Sequence, residues 1–303
     1  MKRLSCLLLL IALVGGACGD DAPVGDGATT TVAAGFPVEV RGATIPGRPE
    51  RIVSGSATHT EILFALGAGD RVVAVDAFSD FPAETASIPQ FDAFNASVEG
   101  IAGLDPDLVI LSFDPGDVVD GLTALGIPIV LFAPPGPANL DEVYAEWRDV
   151  GAAVGNTTEA ETLVMEASDE IAAIVAEVPT YVRPFSYYHE LDNTYYSIGS
   201  DTFIGSIYGM LTMVSIADEA GGGFPQLSAE FIIDADPDFI FLADVDCCGE
   251  SKETVAARPG WSELSAVQSG QIVELDEGVA SRWGPRVVEL VRVIAREVHG
   301  VDA

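Results

Sequence analysis

The chain contains SVEGIAGLDPD at residues 97–107 and SAEFIIDADPD at residues 228–238, which share the pattern Ser-x-Glu-x-Ile-x-x-x-Asp-Pro-Asp without a gap. Each copy runs directly into an apolar segment, LVILSFD at 108–114 and FIFLAD at 239–244. Self-similarity of this length indicates a duplicated structural unit. We therefore expect two related halves.

Each copy has the sequence of a short helix followed by a buried strand. Ser97 and Ser228 are expected to cap the helices, which places Glu99 and Glu230 at the second helical position, where a carboxylate interacts favourably with the helix dipole. The Asp-Pro pairs end the helices because the residue before a proline avoids the helical conformation. The apolar runs that follow are typical of strands in a buried parallel sheet.

Strands and helices alternate on both sides of the repeat. A capping box at 58–61 predicts a helix ending near Gly67, and Ser200 with Asp201 is expected to cap another. This alternation predicts an α/β fold with two Rossmann-like lobes and mostly parallel sheets. The further strands are predicted at RIVSGS (51–56), DRVVAVD (70–76), IPIVLFA (127–133), TYVRPFSYYHEL (180–191) and QIVELD (271–276).

The segment between the halves, residues 140–178, has helical composition and no proline. It predicts one long linker helix between the lobes, with a single break possible near 155–157. The expected domains are therefore an N-terminal lobe (48–139), the interlobe helix (140–178) and a C-terminal lobe (179–303). Ligands of such sheets bind outside the carboxyl ends of the strands, so a cleft between the lobes is expected.

The first residues are typical of an export signal. Lys2 and Arg3 precede an apolar stretch that is too short to span a bilayer, which needs about 20 residues. Small residues then precede Cys18, as in bacterial lipoprotein signals, so residues 1–18 are expected to be the signal with Cys18 lipidated. Ordinary signal cleavage is the alternative. Residues 19–47 are expected to form a tether and lead-in.

The composition excludes one class of partner. The formal net charge is −33, and Lys252 is the only lysine after the first three residues. Nucleic acid is excluded because almost nothing could neutralise its phosphates. The adjacent Cys247 and Cys248 could form a vicinal disulfide, remain free thiols or bind a soft metal, and no further cysteine supports a structural zinc site.

The paired Glu-x-Ile…Asp-Pro-Asp units, the segment THTEILFALG at 58–67 and the helical spacer resemble periplasmic and lipoprotein solute-binding proteins of the iron-siderophore, haem and vitamin B12 ABC importers. The resemblance covers about residues 48–298, and FPQLSAE at 224–230 is especially similar to the B12-binding branch. It implies a monomeric, extracytoplasmic, lipid-anchored receptor, without a covalent cofactor, that delivers a ligand to permease subunits with a cytoplasmic ATPase. It also implies that Glu99 and Glu230 dock onto the permease, a role compatible with helix stabilisation.

Candidate cleft residues lie at strand ends and just before the repeat helices. The resemblance to the B12-binding branch implies that aromatic side chains at such positions line the cleft. Aromatic residues at such positions can equally belong to a lobe's core. The candidates are Ser56, His59, Phe78, Asp80, Phe94, Phe113, Asp114, Tyr187, Tyr188, His189, Phe224, Arg282 and Trp283.

The expected ligand is a metal chelate, with a ferric siderophore first, cobalamin second and haem third. Arg282 would suit an anionic ferric complex through charge-assisted hydrogen bonds, or could simply pair with carboxylates. Zinc- and manganese-binding relatives use three histidines and a carboxylate as ligands, but His299 lies at the C-terminal end of this chain and leaves only His59 and His189 for the cleft, so no bound metal ion is expected. Motifs of hydrolases, metalloproteases and nucleotide-binding enzymes are absent from the sequence, so we expect no catalytic residues and no enzyme activity. A hydrolase-like enzyme is the alternative from a different class, because Ser56 and His59 with a nearby aspartate could imitate a catalytic triad, although their order and loop context match no nucleophile elbow.

Overall fold

The structure is a computed structural model that describes residues 35–301. The predictions for the signal and for Cys18 lie outside the described residues. Across 35–301, no helix is both long and apolar enough to cross a membrane.

The N-terminal lobe is a parallel sheet of five strands with helices on its faces, preceded by a two-stranded antiparallel hairpin. The strands of this sheet are nearly continuous runs of Val, Ile and Leu because both faces are covered. The hairpin consists of β1 (Val38–Val40) and β2 (Ala43–Ile45), and the lobe contains β3 (Ile52–Gly55), α1 (Ala57–Ala65), β4 (Val72–Asp76), β5 (Gln90–Phe91), α2 (Val98–Ala102), β6 (Leu108–Leu111), α3 (Val118–Ala124) and β7 (Ile129–Leu131).

Two helices, α4 (Leu140–Val154) and α5 (Thr157–Glu177), occupy the segment between the lobes. The helix breaks at Gly155, which adopts the left-handed conformation with a φ of 73°. The two helices pack closely, because a Cβ on Gly151 would lie 2.5 Å from the Cβ of Ala160. The structure therefore has two packed helices where the sequence predicted one long helix with a possible break.

The C-terminal lobe has a parallel sheet of four strands. Its last helix, residues 287–299, packs against α5. The elements are β8 (Phe185–Glu190), α6 (Phe203–Met210), β9 (Met213–Ser215), α7 (Ala229–Ala235), β10 (Phe239–Leu242), α8 (Val245–Cys248), α9 (Lys252–Ala256), α10 (Ser265–Ser269), β11 (Ile272–Glu274), α11 (Glu277–Ser281) and α12 (Val287–His299).

The two sheets repeat one topology. The strand order is β5-β4-β3-β6-β7 in the first lobe and β9-β8-β10-β11 in the second, so β4-β3-β6-β7 and β9-β8-β10-β11 correspond one to one. The repeated sequence units occupy equivalent places, α2 with β6 and α7 with β10. The duplication predicted from the sequence is therefore visible in the strand order.

The caps predicted for the repeat helices are present. Ser97 Oγ accepts a hydrogen bond from the Gly100 amide at 3.1 Å, and Ser228 Oγ accepts one from the Phe231 amide at 3.2 Å. The last aspartate of each unit has a further role that the sequence did not suggest. Asp107 Oδ1 accepts from the Arg51 amide and Asp238 Oδ2 from the Ser186 amide, both at 2.8 Å. Each aspartate thus holds the neighbouring parallel strand in register.

Two predicted helix caps are wrong. The first helix begins after Ser56 and not at Thr58, so Glu61 lies inside the helix and is buried. The second is capped by Thr202, whose side chain accepts from the Gly205 amide, and not by the residues before it. Glu61 of the expected capping box binds Arg282 and Arg286 instead, while Ser200 binds Asp218 and Asp201 binds the Gly223 amide.

Candidate functional site

A cavity of about 360 Å³ lies between the lobes, at the carboxyl edges of both sheets. One side is the segment that follows β7, and the other is formed by loops of the C-terminal lobe. Within the described residues its lining is mostly apolar and contains one carboxylate and no basic side chain. The lining residues are Pro135, Gly136, Pro137, Ala138, Leu191, Asp201, Thr202, Phe203, Ile204, Gly223, Phe224, Ser281 and Trp283.

Trp283 is a fixed wall of this cavity. Its indole nitrogen donates to Glu146 Oε2 at 2.7 Å, and its carbonyl accepts from the Trp147 indole nitrogen at 3.0 Å. Gly136 faces the ring so closely that a Cβ there would lie 3.2 Å from it. Burial raises the pKa of the Glu146 carboxyl, and the Trp283 hydrogen bond partly offsets that rise. The tryptophan predicted from the sequence is thus held by groups from α4.

Phe224 also lines the cavity from the C-terminal lobe, with 63% of its surface exposed. It follows Gly221, Gly222 and Gly223, all of which have positive φ angles that other residues rarely adopt. Asp201 fixes the end of this loop, because its Oδ1 accepts from the Gly223 amide at 2.7 Å. An exposed aromatic ring therefore lines the cavity from a loop of unusual backbone geometry.

Phe78, Phe94 and Phe113 form a second aromatic surface, here named the phenylalanine cluster. Phe94 stacks on Phe113 with centroids 5.0 Å apart and meets Phe78 edge-on at 6.0 Å. Phe78 and Phe94 are each 62% exposed, which is unusual for large apolar side chains. The three residues follow β4, β5 and β6, so the cluster lies at the carboxyl edge of the N-terminal sheet.

Arg282 joins the two lobes beside this cluster. Its Nη2 donates to the Phe78 carbonyl at 3.0 Å, and its Nη1 donates to Asp80 at 2.6 Å and to Glu61 at 3.0 Å. These hydrogen bonds and charges raise the pKa of the Arg282 guanidinium against the opposing effect of burial. Arg282 therefore pairs with carboxylates of the N-terminal lobe, which was one of the two roles expected for it.

Three candidates from β8 do not line the cleft. Tyr187, Tyr188 and His189 are fully buried in the C-terminal lobe. Tyr187 stacks on Tyr208 with centroids 4.0 Å apart, and His189 Nδ1 lies 2.9 Å from the Tyr208 hydroxyl. The strand-end rule failed here because all three residues lie inside β8 (Phe185–Glu190), in its buried part.

Three candidates from the N-terminal lobe are also structural in this conformation. His59 is fully buried, stacks on Phe132 with centroids 4.2 Å apart, and its Nδ1 lies 2.9 Å from Ser56 Oγ. Burial, with a smaller contribution from Arg41, lowers the pKa of His59 to about 3. Asp114 is exposed but accepts from the Val118 amide at 2.9 Å and so caps α3.

Several residues of the site were not found from the sequence. The segment 135–138 could have been, because it follows β7 as the chosen candidates follow other strands. Glu61 had been assigned to a capping box, and Glu146 carried no sequence signal. Their roles depend on contacts with Arg282, Arg286 and Trp283, which are far away in the chain.

Glu99 and Glu230 occupy the second position of α2 and α7 and are exposed. The two short helices take equivalent places in the two lobes, as the strand order requires. Among the described residues, neither carboxylate has a recorded side-chain partner. The two glutamates are thus equivalent exposed carboxylates, one on each lobe.

The structure pairs Cys247 with Cys248 as a vicinal disulfide on α8. No group of three or more histidine, cysteine or acidic side chains within 35–301 is arranged to hold a metal ion. Nearby, Asp244 is fully buried, and its carboxyl group lies close to that of Glu190. Burial first, and then the Glu190 carboxylate, raise the pKa of Asp244 to about 7.

Comparisons with known proteins agree with this geometry. The family model described as periplasmic binding protein matches residues 52–279. The chain is 29% identical to an uncharacterised ABC transporter substrate-binding lipoprotein of Bacillus subtilis, over 96% of this chain and 95% of that protein. It is also 29% identical to a cobalamin-binding protein of Halobacterium salinarum, over 84% of this chain and 71% of that one.

The fold is similar to solved structures as well. The periplasmic haem-binding protein of Roseiflexus sp. RS-1 superposes with a TM-score of 0.74 and 27% sequence identity, over 84% of this chain and 99% of that chain.

Proposed function

The chain belongs to the periplasmic binding protein family, and from this premise we propose that it is the substrate-binding protein of an ABC importer whose ligand is a corrinoid of the vitamin B12 type. Proteins of this family bind solutes and are not enzymes. The observation that carries the choice of ligand is the aromatic character of the site: Phe224 and Trp283 line a cavity that has no basic side chain among the described residues, and the phenylalanine cluster lies beside it.

The aromatic surfaces suit a ligand with a large macrocyclic face. Aromatic rings bury about 150–250 Å² each and gain further energy when stacked or edge-on. Exposed rings on both lobes can contact the two sides of a macrocycle that enters between them. The relative from Halobacterium salinarum, a cobalamin-binding protein, supports the same ligand class.

The charge distribution also favours a ligand without net negative charge. The chain carries a formal charge of −33, so an anionic chelate would approach against a negative field. The cavity lining contributes Asp201 and no cation among the described residues. Cyanocobalamin, in which the charges of cobalt and phosphate cancel, meets neither obstacle.

The histidines argue against haem held by an axial imidazole. His59 and His189 are fully buried and are engaged by Ser56 and Tyr208. An imidazole that binds haem iron must reach the ligand directly. Neither ring does so in this conformation.

A ferric siderophore, the first expectation from the sequence, is the second candidate. Its case was strongest for an anionic complex bound by Arg282, but that guanidinium is already paired with Glu61 and Asp80. An uncharged ferric hydroxamate is compatible with the polar side chains of Asp201, Thr202 and Ser281 in the cavity.

Delivery to the importer is proposed to use Glu99 and Glu230, one exposed carboxylate on each lobe, as docking groups for basic side chains of the permease. Cys18 is proposed as the lipid anchor that keeps the receptor at the outer face of the cell membrane. The protein is proposed to act as a monomer.

The function is tested by tryptophan fluorescence of the full-length protein. Trp147 and Trp261 are fully buried, so quenching by a cleft ligand should come from Trp283. Cyanocobalamin should quench saturably, and both Phe94→Ala and Phe224→Ala should weaken binding at least tenfold. The variant Trp283→Phe should lose most of the quenching. Binding unaffected by both phenylalanine variants would place the ligand elsewhere.

A further inference from the structure

Glu61 is a buried carboxylate on α1, with 2% of its surface exposed. It accepts hydrogen bonds from two arginines of the C-terminal lobe: from Arg282 Nη1 at 3.0 Å, and from Arg286 Nη2 at 2.6 Å and Nε at 3.1 Å. One buried negative charge therefore binds two guanidinium groups across the interlobe boundary.

Two exposed carboxylates pair with the same arginines, so three carboxylates face two guanidinium groups. Asp80 Oδ1 lies 2.6 Å from Arg282 Nη1, and Asp276 Oδ1 lies 3.4 Å from Arg286 Nη1. Their side chains are 72% and 61% exposed, whereas those of the two arginines are only 14% exposed. The arginines are thus covered by an inner carboxylate and two outer ones.

The loop that carries the arginines fits tightly against Glu61. A Cβ at Gly284 would lie 2.8 Å from Glu61 Oε2, so a glycine is needed for this approach. Within the same loop, Ser281 and Trp283 line the interlobe cavity. Arg282 stands between them in sequence, yet its side chain is directed to the N-terminal lobe, where it reaches the Phe78 carbonyl.

The position of Arg282 matters because of its two neighbours. Phe78 belongs to the exposed phenylalanine cluster, and Trp283 belongs to the cavity wall. A guanidinium released at this point would lie at the edge of the ligand site. Bidentate or charge-assisted bonds from arginine to anionic oxygens are among the stronger polar contacts in proteins.

We propose that Glu61 is a specificity-determining positioning residue that binds Arg282 and Arg286, withholds both cations from the ligand, and so makes the cleft select weakly charged chelates over anionic ones. This inference rests on the proposed solute-binding function and deepens it. Asp80 acts in the same direction from the solvent side.

The test compares one anionic and one neutral probe in the full-length protein and its variants. The anionic probe is the iron(III) tris-catecholate complex, a trianion, and the neutral probe is cyanocobalamin. The variants are Glu61→Gln, which keeps the side-chain volume, and Asp80→Asn, whose exposed position makes misfolding no concern. Glu161→Gln is the matched control, because it removes one charge from an exposed pair with Arg148 on the interlobe helices.

Glu61→Gln and Asp80→Asn should each raise the affinity for the iron(III) tris-catecholate complex at least tenfold relative to the parent protein. The gain should shrink as NaCl rises from about 0.05 to about 0.5 M, because screening weakens a charge contact. A variant that is merely damaged would lose affinity for every probe and would show no such gain.

The proposal is overturned if folded Glu61→Gln and Asp80→Asn proteins show no gain, or if Glu161→Gln shows an equal one. If Glu61→Gln does not fold, Asp80→Asn alone decides. If the parent protein does not bind cyanocobalamin, only the proposed corrinoid function is contradicted. The role of Glu61 is tested separately, by comparing the affinity of variant and parent for the anionic probe.

Discussion

Arg286 Nη2 lies 2.6 Å from Glu61 Oε1, although the two residues belong to opposite ends of the folded chain and to different lobes. Arg286 is the N-cap residue of α12, and Glu61 lies within α1. Their contact, together with that of Arg282, closes the C-terminal loop onto the N-terminal lobe. The lobes are therefore connected by buried charge as well as by the two helices of the linker segment.

This connection should contribute to stability. Replacing Glu61 by Ala leaves two largely buried guanidinium groups without their inner carboxylate, and breaking a buried pair in this way costs about 3–5 kcal/mol. We expect a loss of that order in the free energy of unfolding, measured by urea denaturation. Glu161→Ala, which breaks an exposed pair, should cost less than about 1 kcal/mol. Equal effects of the two substitutions would show that the interlobe pair is energetically unimportant.

The buried Asp244 predicts a loss of stability at alkaline pH. Burial and the neighbouring Glu190 and Glu250 carboxylates raise its pKa from 3.8 to about 7, so the folded protein holds a proton that the unfolded chain releases. The stabilising contribution is present below pH 3.8 and is lost as the pH rises through about 7. Asp244→Asn should therefore gain stability relative to the parent as the pH rises through this window, and its advantage in the free energy of unfolding should be about 1–3 kcal/mol larger at pH 8.5 than at pH 5.

The control for that experiment is Asp246→Asn, which changes an exposed carboxylate on the same short helix. Its free energy of unfolding, relative to the parent, should not depend on pH in this range. The raised pKa of Asp244 would be contradicted if the parent and Asp244→Asn had the same free energy of unfolding at pH 5 and again at pH 8.5.

His59 predicts the opposite trend at acid pH. Burial lowers its pKa from 6.5 to about 3, so below pH 6.5 the unfolded chain binds a proton that the folded protein refuses. Stability is present above pH 6.5 and is lost as the pH falls towards 3. In His59→Phe, which preserves stacking on Phe132, this part of the acid loss should be absent. Thermal melts of both proteins at pH 7, 5.5 and 4.5 measure the difference, and parallel curves would count against it.

Glu99 and Glu230 should matter for transport and not for ligand binding. Their carboxylates are exposed and lie away from the cavity lining, so Glu99→Ala and Glu230→Ala should leave the ligand dissociation constant unchanged. Uptake reconstituted with the cognate importer should fall at least tenfold. Glu253→Ala is the matched control, because Glu253 also follows a serine cap at the second position of a short helix but lies outside the repeat. Equal uptake by all three variants would remove the docking proposal.

High salt should stabilise the protein. The formal charge of −33 implies strong self-repulsion, which is screened when the Debye length falls from about 10 Å at 0.1 M to about 3 Å at 1 M salt. We expect the melting temperature to rise between these concentrations in NaCl, and by a similar amount in choline chloride if the effect is screening. A constant or falling melting temperature would mean that repulsion between the acidic groups does not destabilise the folded protein.

The sequence revealed the duplicated α/β architecture because its signals are local. Ser97 and Ser228 cap helices within four residues of themselves, and the apolar run at 239–242, bounded by Asp-Pro-Asp, forms a buried strand. The exposed aromatics Phe78, Phe94 and Phe224 were found by the same logic of strand ends and helix starts. These features depend on nearest neighbours along the chain.

The parts of the site that sequence reasoning missed depend on contacts between distant segments. Glu61 has the spacing of a capping box, yet it pairs with Arg282 and Arg286 from the other lobe. Histidine is a common metal ligand, yet His189 lies in β8 and is buried in the core of the C-terminal lobe. A local pattern cannot distinguish a buried partner from an exposed one, because burial is decided by the packing of the whole lobe.

The most direct test of the central claim is isothermal titration calorimetry of the full-length protein with cyanocobalamin. We expect saturable binding of one ligand per chain, with a dissociation constant in the micromolar range or tighter and a negative heat-capacity change from burial of apolar surface. No saturable heat with cyanocobalamin, combined with tight binding of an iron(III) tris-catecholate complex by the unmodified protein, would contradict it.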